Sequence, residues 1–303
     1  MDKIIRIGTR ESQLAVWQAE TVKGLLESNG YKAELVFIKS EGDTDLKTPL
    51  YEIGVQGIFT RQLDIAMLND DIDIAVHSMK DVPTMMAKGI VQAAVLPRAS
   101  YKDILVPKPG TNIEGTPGPF IIATSSIRRK AQWLNRFPDD TLVNLRGNVN
   151  TRLRKVEDND WNGAIFAAAG LERIGLRPDN AIELDWMLPA PAQGAILVVC
   201  RDNNEYCLEA CAHFHDSDTA LCTSIERDFL RALMGGCSTP ISALAKVENG
   251  QVHFTGNILS PDGTKKIEVS RRVAIEESGN LGAMAGEEIL EDGGREILAS
   301  MTK

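Results

Sequence analysis

One cysteine of this chain stands where a thiol could carry a covalently bound group. Cys237 lies between Gly-Gly and Ser-Thr-Pro in the segment RALMGGCSTPISALA. The two glycines permit backbone angles closed to other residues and leave the sulfur accessible, and Pro240 stiffens the exit of the loop. The alternative is a helix that ends at the glycines, followed by a buried and inert cysteine. The loop by itself favours this second interpretation, and the rest of the chain reverses the preference.

Positively charged, hydroxyl and amide side chains follow the predicted strands at five places. In open α/β sheets, ligands bind beyond the carboxyl ends of the strands, where helix N-termini attract anions. Arginine can hold a carboxylate there through two parallel hydrogen bonds. Surface loops often carry such residues, so any one of them would mean little. Positive charge at five strand ends of a chain whose net charge is -9 nevertheless predicts a ligand with several carboxylates or phosphates. The residues are Arg10, Ser12, Lys80, Thr124, Ser125, Ser126, Arg128, Arg129, Arg146, Asn148, Asn150, Arg152 and Arg173.

One acidic residue, Asp81 in the segment HSMKDVP, stands among these cations. A carboxylate beside Lys80 could stabilise a developing positive charge or transfer a proton. The alternative is an ordinary turn residue that precedes Val-Pro. His77 lies inside an apolar strand and is predicted to be a packed core residue.

Four potential zinc ligands fall close together in the segment CLEACAHFH: Cys207, Cys211, His213 and His215. Their spacing matches no common zinc motif, and one helix cannot aim all four at the same point. An amphipathic helix with small buried thiols is therefore favoured over a metal site.

Composition restricts the class of protein. The chain has 303 residues, of which 43% are hydrophobic and 25% charged, as in an ordinary globular protein with two or three domains. The net charge of -9 argues against a nucleic-acid partner. No apolar run reaches membrane-spanning length, and the segment MDKIIRIGTRES lacks a secretory pattern. We therefore expect a cytoplasmic protein whose five cysteines are reduced thiols.

Alternating strands and helices must position these side chains. The first strand is KIIRIG, and the helix after it is predicted to begin at the N-cap Ser12 and to end at Asn29-Gly30. Residues 97–118 are rich in Pro and Gly and are predicted to be a connection, after which the alternation begins again. A second connection, LPAPAQGAI, precedes an α+β region whose last helical stretch is interrupted at Gly293-Gly294. The pattern predicts parallel or mixed sheets covered by helices.

Six segments together carry a family resemblance. They are IDIAVHSMKDVPT, TSSIRRKAQ, LRGNVNTRL, AAAGLERIGL, LPAPAQGAI and GGCSTPI. In this order they closely resemble the porphobilinogen deaminase (hydroxymethylbilane synthase) family, and the similarity extends from TRESQLAVWQA through the Cys237 loop. It implies two α/β domains like those of type II periplasmic binding proteins, with a cleft between them, and a small C-terminal α+β domain. The implied boundaries are 1–97 with 195–216, then 98–194, then 217–303.

The resemblance also implies a reaction and a role for each candidate residue. Four porphobilinogen molecules are joined head to tail with loss of ammonia, on a dipyrromethane cofactor held by a thioether bond to Cys237. The product is hydroxymethylbilane, a precursor of tetrapyrroles, and the enzyme is expected to be a monomer. Asp81 matches the catalytic carboxylate. The cofactor-binding positions are Lys80, Ser126, Arg128, Arg129 and Arg146, and the substrate-binding positions are Arg10, Ser12, Arg152, Arg173 and Gln193.

The chain departs from the family at Glu52 and Gln56, where many members have lysines in a loop over the site.

Two other functions fit parts of the pattern. A non-catalytic two-domain receptor for a polycarboxylate would explain the cations but leaves the third domain and its thiol without a role. The ligand-sensing part of a transcription regulator would require a basic helix-turn-helix, and none is evident at either end.

Overall fold

The computed structural model describes residues 3–39, 60–113, 118–234 and 239–301, so Glu52, Gln56 and Cys237 lie outside the described residues. Two compact units divide the chain. The first contains the described residues up to 99 together with 194–221, and the second contains 100–193 together with 222–301.

The strands of the described residues are β1 (Ile4–Thr9), β2 (Lys32–Phe37), β3 (Ile74–Ser78), β4 (Ile90–Val95), β5 (Asp103–Pro107), β6 (Ile121–Ala123), β7 (Thr141–Val143), β8 (Gly163–Ala167), β9 (Ile182–Glu183), β10 (Ile196–Arg201), β11 (Ile241–Glu248), β12 (Gln251–Leu259) and β13 (Lys266–Ala274). Their helices are α1 (Gln13–Ser28), α2 (Arg61–Leu68), α3 (Ile127–Arg136), α4 (Val149–Asp158), α5 (Ala168–Glu172), α6 (Glu205–Ala212), α7 (Ser217–Ala232), α8 (Leu281–Ile289) and α9 (Arg295–Met301).

The first unit is built on a sheet of order β2-β1-β3-β10-β4. β1 pairs in parallel with β2 and β3, whereas β10 runs antiparallel to β3 and β4. Helix α1 packs on it with Ala19, Val22 and Leu26, which are fully buried and fall on one helical face. Its predicted ends are confirmed: Ser12 is the N-cap and Asn29 the C-cap.

The second unit repeats this arrangement with the order β7-β6-β8-β5-β9. β6 pairs in parallel with β7 and β8, and β5 runs antiparallel to β8 and β9. Apolar clusters cover both faces of the sheet, one including Phe166 and Leu171 and the other including Trp133 and Met187. Two mixed sheets of matching order confirm the predicted fold class.

Four of these strands were not predicted: β4, β5, β9 and β10. β5 lies inside residues 97–118, which the Pro and Gly content indicated to be a connection, yet all five of its residues are buried. β10 follows the second connection and runs opposite to the other four strands of the first sheet. A short continuous apolar run has no periodicity that identifies it as a strand. The Pro and Gly residues around these runs therefore predicted connections instead.

The C-terminal part is an antiparallel sheet of order β11-β12-β13, packed on α7. Phe229 of α7 meets Phe254 of β12 edge to face at 5.3 Å between ring centroids. The described residues end with α8 and α9, and Gly293 between them has φ +108°, which confirms the predicted interruption and requires glycine. Three-domain boundaries stay a prediction, since this sheet and the second sheet form one compact unit.

None of the helices within the described ranges is both long and apolar enough to cross a membrane.

Candidate active site

Two of the predicted residue groups in the first unit share one sheet edge. β1 and β3 are neighbours and run in parallel, with Ile7 opposite Ile74 and Gly8 opposite Ala75. Their carboxyl ends therefore lie side by side. Arg10 and Ser12 follow β1, and the short 3₁₀ turn Met79–Asp81 follows β3, so Lys80 and Asp81 come to the same edge.

The turn that carries Asp81 is held from two sides. The Met79 N–H donates to the Ala195 carbonyl at 3.0 Å. Gln18, buried in α1, donates from Nε2 to the Ser78 Oγ at 2.9 Å. The Asp81 side chain itself is half-buried, and no hydrogen bond or ion pair links its carboxylate to another described residue. The backbone of the turn is thus held in place, while the Asp81 carboxylate accepts no hydrogen bond from the described residues.

His77, in the strand before this turn, is buried at 7% exposure, as predicted for a core residue. Burial, and secondarily the positive charge of Arg10, lowers the pKa of His77 to about 4. The imidazole is therefore neutral at physiological pH.

The second unit presents two helix N-termini at the corresponding edge. β6 and β7 are parallel neighbours, and each leads into a helix. Ser126 caps α3 by accepting from the Arg129 N–H at 3.4 Å, and Asn148 caps α4 by accepting from the Thr151 N–H at 2.9 Å. Capped N-termini keep their remaining N–H groups directed toward the end of the sheet, where an anion can bind.

Other predicted residues follow β7 and β8 in this unit. Arg146 is buried, and its carbonyl accepts from the Lys155 Nζ at 3.1 Å. Arg152 donates from Nε to the Gly147 carbonyl at 2.7 Å. Arg173 is the C-cap of α5, after β8, and burial lowers its pKa to about 10. All three therefore belong to the same end of the second sheet.

A buried carboxylate, that of Asp103, lies at this end of the second sheet. Asp103 opens β5, which runs antiparallel to β8 with Asp103 opposite Ala167, so the start of β5 meets the carboxyl ends of its neighbours. Asp103 Oδ2 accepts from Arg128 Nη2 at 2.7 Å, and Oδ1 accepts from Arg129 Nη2 at 2.7 Å and from Arg129 Nε at 3.1 Å. Gln193 donates from Nε2 to the same Oδ1 at 2.9 Å.

Electrostatics keep this carboxylate ionised. Burial alone would raise the pKa of Asp103, which is fully buried, but the two guanidinium charges and the hydrogen bonds outweigh it. The pKa of Asp103 therefore lies well below its usual range. Arg128 also donates to the Leu188 carbonyl at 2.7 Å, and Arg129 to the Ile165 carbonyl at 2.9 Å. Both arginines are thus fixed in position by the protein itself.

Asp103 is the residue that sequence reasoning missed. It lies in the segment read as a connection, although an acid directly before the apolar run ILV was a signal for a buried, paired carboxylate. Its presence changes the surroundings of three predicted ligands, Arg128, Arg129 and Gln193, which it brings together. Arg10, Ser12, Lys80 and Asp81 form the other group, in the first unit. Cys237 lies outside the described residues.

The cysteines of CLEACAHFH lie in the core of the first unit. Cys207 and Cys211 are on α6 and fully buried. Burial raises the pKa of Cys207 to about 12 and that of Cys200 to about 11. His215 uses Nδ1 to accept from the Val95 N–H at 3.1 Å. These contacts agree with the amphipathic-helix interpretation.

Family models match most of the chain. Residues 5–209 match the model described as "Porphobilinogen deaminase, dipyromethane cofactor binding domain", and residues 220–291 match "Porphobilinogen deaminase, C-terminal domain".

Curated proteins match over nearly the full length. The porphobilinogen deaminase of Syntrophotalea carbinolica is 40% identical, with 98% of this chain and 96% of that protein covered. The one of Geotalea uraniireducens is 41% identical, with 99% and 95% covered. The chloroplastic one of Pisum sativum is 42% identical, with 96% and 82% covered.

Solved structures match more distantly. The methionine-binding protein MetQ has 13% identity and a TM-score of 0.46, with 72% of this chain and 92% of that one covered. A periplasmic substrate-binding protein of an ABC transporter from Coxiella burnetii has 15% identity and a TM-score of 0.43, with 71% and 94% covered.

Proposed function

The chain belongs to the porphobilinogen deaminase family, and we propose that it joins four porphobilinogen molecules head to tail, releasing ammonia and giving linear hydroxymethylbilane. The observation that carries this is the pair of family models, which together span residues 5–209 and 220–291. About 40% identity to named members over nearly the whole chain agrees with it.

Residues 5–209 match the family's dipyrromethane cofactor-binding domain, and the donors of the second unit suit such a group. Dipyrromethane carries acetate and propionate groups, as porphobilinogen does, and guanidinium and ammonium groups donate hydrogen bonds without accepting any. Arg128 and Arg129 bring two positive charges to the single carboxylate of Asp103, so the cluster retains one positive charge for an anionic ligand. The residues proposed to hold the group are Cys237, through a thioether bond, and Lys80, Ser126, Arg128, Arg129 and Arg146.

When bound, the group supplies the pyrrole carbon to which the first substrate is joined. Each condensation breaks the C–N bond of the aminomethyl group, and the departure of ammonia leaves positive charge on the substrate pyrrole. The Asp81 carboxylate stabilises that charge electrostatically. It also accepts the proton that the joining carbon loses as the new C–C bond forms.

The remaining candidates bind substrate carboxylates. These residues are Arg10, Ser12, Arg152, Arg173 and Gln193. Asp103 supports the proposed cofactor-binding role of Arg128 and Arg129, because it already holds both guanidinium groups in place. A cation that is fixed before the ligand arrives loses little conformational entropy when the ligand binds.

We also propose a monomeric enzyme of the cytoplasm. Cys200, Cys207, Cys211 and Cys222 are buried thiols, which suits a reducing compartment.

Ammonia release from porphobilinogen tests the function. We expect the purified chain to release four ammonia molecules for each hydroxymethylbilane formed, and the Cys237→Ser variant to lose sustained turnover. The control is Cys222→Ala, which removes a buried thiol of α7 and is expected to keep turnover. Absence of ammonia release by the unmodified chain, or full activity of Cys237→Ser, would contradict the proposal.

A further inference from the structure

We propose that Gln132 is a positioning residue of this enzyme. It holds the Leu188 peptide in place, and that peptide fixes the position of the Arg128 side chain relative to β11, the strand that follows the Cys237 loop. The inference rests on the proposed function, because it assumes that Cys237 and Arg128 hold the same cofactor.

Gln132 uses both its donor and its acceptor atoms in a buried setting. It lies on α3 at 6% exposure. Its Nε2 donates to the Leu188 carbonyl at 2.9 Å and to the Ser242 Oγ at 3.0 Å, and its Oε1 accepts from the Leu188 N–H at 2.9 Å. An amide side chain is needed for this pattern, since a carboxylate lacks the donors and an ammonium lacks the acceptor.

The Leu188 peptide links this amide to the proposed cofactor site. Its carbonyl also accepts from Arg128 Nη1 at 2.7 Å. The next carbonyl, that of Pro189, accepts from the Ala243 N–H of β11 at 3.1 Å. The peptides of Leu188 and Pro189 are therefore bonded to α3 on one side and to β11 on the other.

Strand β11 begins at Ile241, four residues after Cys237. Ser242, which bonds Gln132, is its second residue and is fully buried. Gln132 thus links β11, which begins close to the proposed attachment residue Cys237, to helix α3, whose first turn contains Arg128. Loss of its amide leaves the Leu188 N–H without this partner and loosens the peptide whose carbonyl accepts from Arg128.

Asn135 offers a matched control on the same helix. Its Nδ2 donates to the Gly263 carbonyl at 2.7 Å, in the turn between β12 and β13. A Cβ at Gly263 would lie 2.5 Å from the Asn135 N atom, which shows how closely that turn packs on α3. Asn135 therefore attaches the same sheet to α3 without touching the Leu188 peptide.

The test compares Gln132→Met, an unbranched side chain of similar length, with Asn135→Leu. Both are followed by thermal melting, by kcat and KM for porphobilinogen, and by intact mass after limited additions of porphobilinogen. We expect Gln132→Met to acquire the Cys237 adduct, to show about tenfold lower kcat, since small displacements in a site have large kinetic effects, and to accumulate incomplete chains. Asn135→Leu is expected to melt at a lower temperature with wild-type kcat and mass distribution.

Wild-type kcat and mass distribution in Gln132→Met, or an equal loss in Asn135→Leu, would overturn the inference while leaving the function intact. An unmodified protein that neither carries the adduct nor takes up porphobilinogen would overturn both. Should Gln132→Met fail to fold, Ser242→Ala decides on the same measurements, because it removes one of the three bonds: lower kcat at unchanged KM supports the role, and wild-type values reject it.

Discussion

The two α/β sheets share a strand order, and each places an aspartate at the edge where ligand-binding residues are proposed, yet the two aspartates have opposite surroundings. Asp81 is half-buried and no described residue bonds its carboxylate. Asp103 is fully buried and accepts from Arg128, Arg129 and Gln193. A carboxylate with unused lone pairs is available for chemistry, whereas one that neutralises buried cations organises a binding site. We therefore expect the same residue type to have different roles at the two sheet edges.

Removing the charge of Asp81 should have the largest effect of all. We expect Asp81→Asn to lower kcat by a factor of about 10² to 10⁴, with the Cys237 adduct still present and the melting temperature nearly unchanged. Steady-state kinetics and intact mass measure this. Asp71→Asn, an exposed acid before β3, serves as the control that keeps kcat. Substantial turnover in Asp81→Asn would remove the distinction between the two aspartates.

Removing the charge of Asp103 should instead affect folding. Asp103→Asn leaves two buried guanidinium groups without their counter-ion, and we expect a loss of about 3–5 kcal/mol in the free energy of unfolding. Denaturant titration measures it, with the exposed Asp139→Asn as a control within about 0.5 kcal/mol of wild type. A stable Asp103→Asn variant that lacked only activity would assign Asp103 to the chemistry.

The two units should also differ in their response to acid. His77 has a pKa of about 4 when folded and about 6.5 when unfolded, so it disfavours folding as the pH falls from 6.5 to 4, by about 3 kcal/mol at most. Asp103 has a depressed pKa, so its stabilisation is full above about pH 4 and is lost only at lower pH.

The measurement is the unfolding free energy of His77→Gln and of the unmodified chain at pH 7 and pH 4.5. The variant should lose less stability between these pH values. Asp64, whose pKa burial raises to about 6, titrates in the same interval with the opposite sign and is present in both proteins, so the difference isolates His77. Identical pH dependence in the two proteins would mean that His77 is not neutral in the folded state.

The helix caps offer the smallest effects. Ser12 and Ser126 each cap a helix and are each proposed ligands. Alanine at either position should reduce stability by about 1 kcal/mol, and glycine by only a few tenths. A several-fold higher KM in Ser12→Gly, measured where stability is preserved, would indicate that the hydroxyl binds substrate. An unchanged KM would restrict Ser12 to capping.

Local patterns predicted the elements that have strong local signals. Helix α1 was found from its apolar periodicity and from Ser12 and Asn29, and the turn of Asp81 from its position after an apolar strand. The partners of Asp103 could not be found in this way. They lie 25, 26 and 90 residues away, and the antiparallel placement of β5 that brings them together has no signature in a short apolar run.

Cys237 is proposed to carry a dipyrromethane on which porphobilinogen units are added. Intact mass of the purified chain under denaturing conditions shows whether it does. We predict a mass above that of the sequence by one dipyrromethane, located at Cys237, and stepwise gains when porphobilinogen is added. An unmodified mass that does not change with porphobilinogen would rule out this cofactor and favour a non-catalytic receptor for a polycarboxylate.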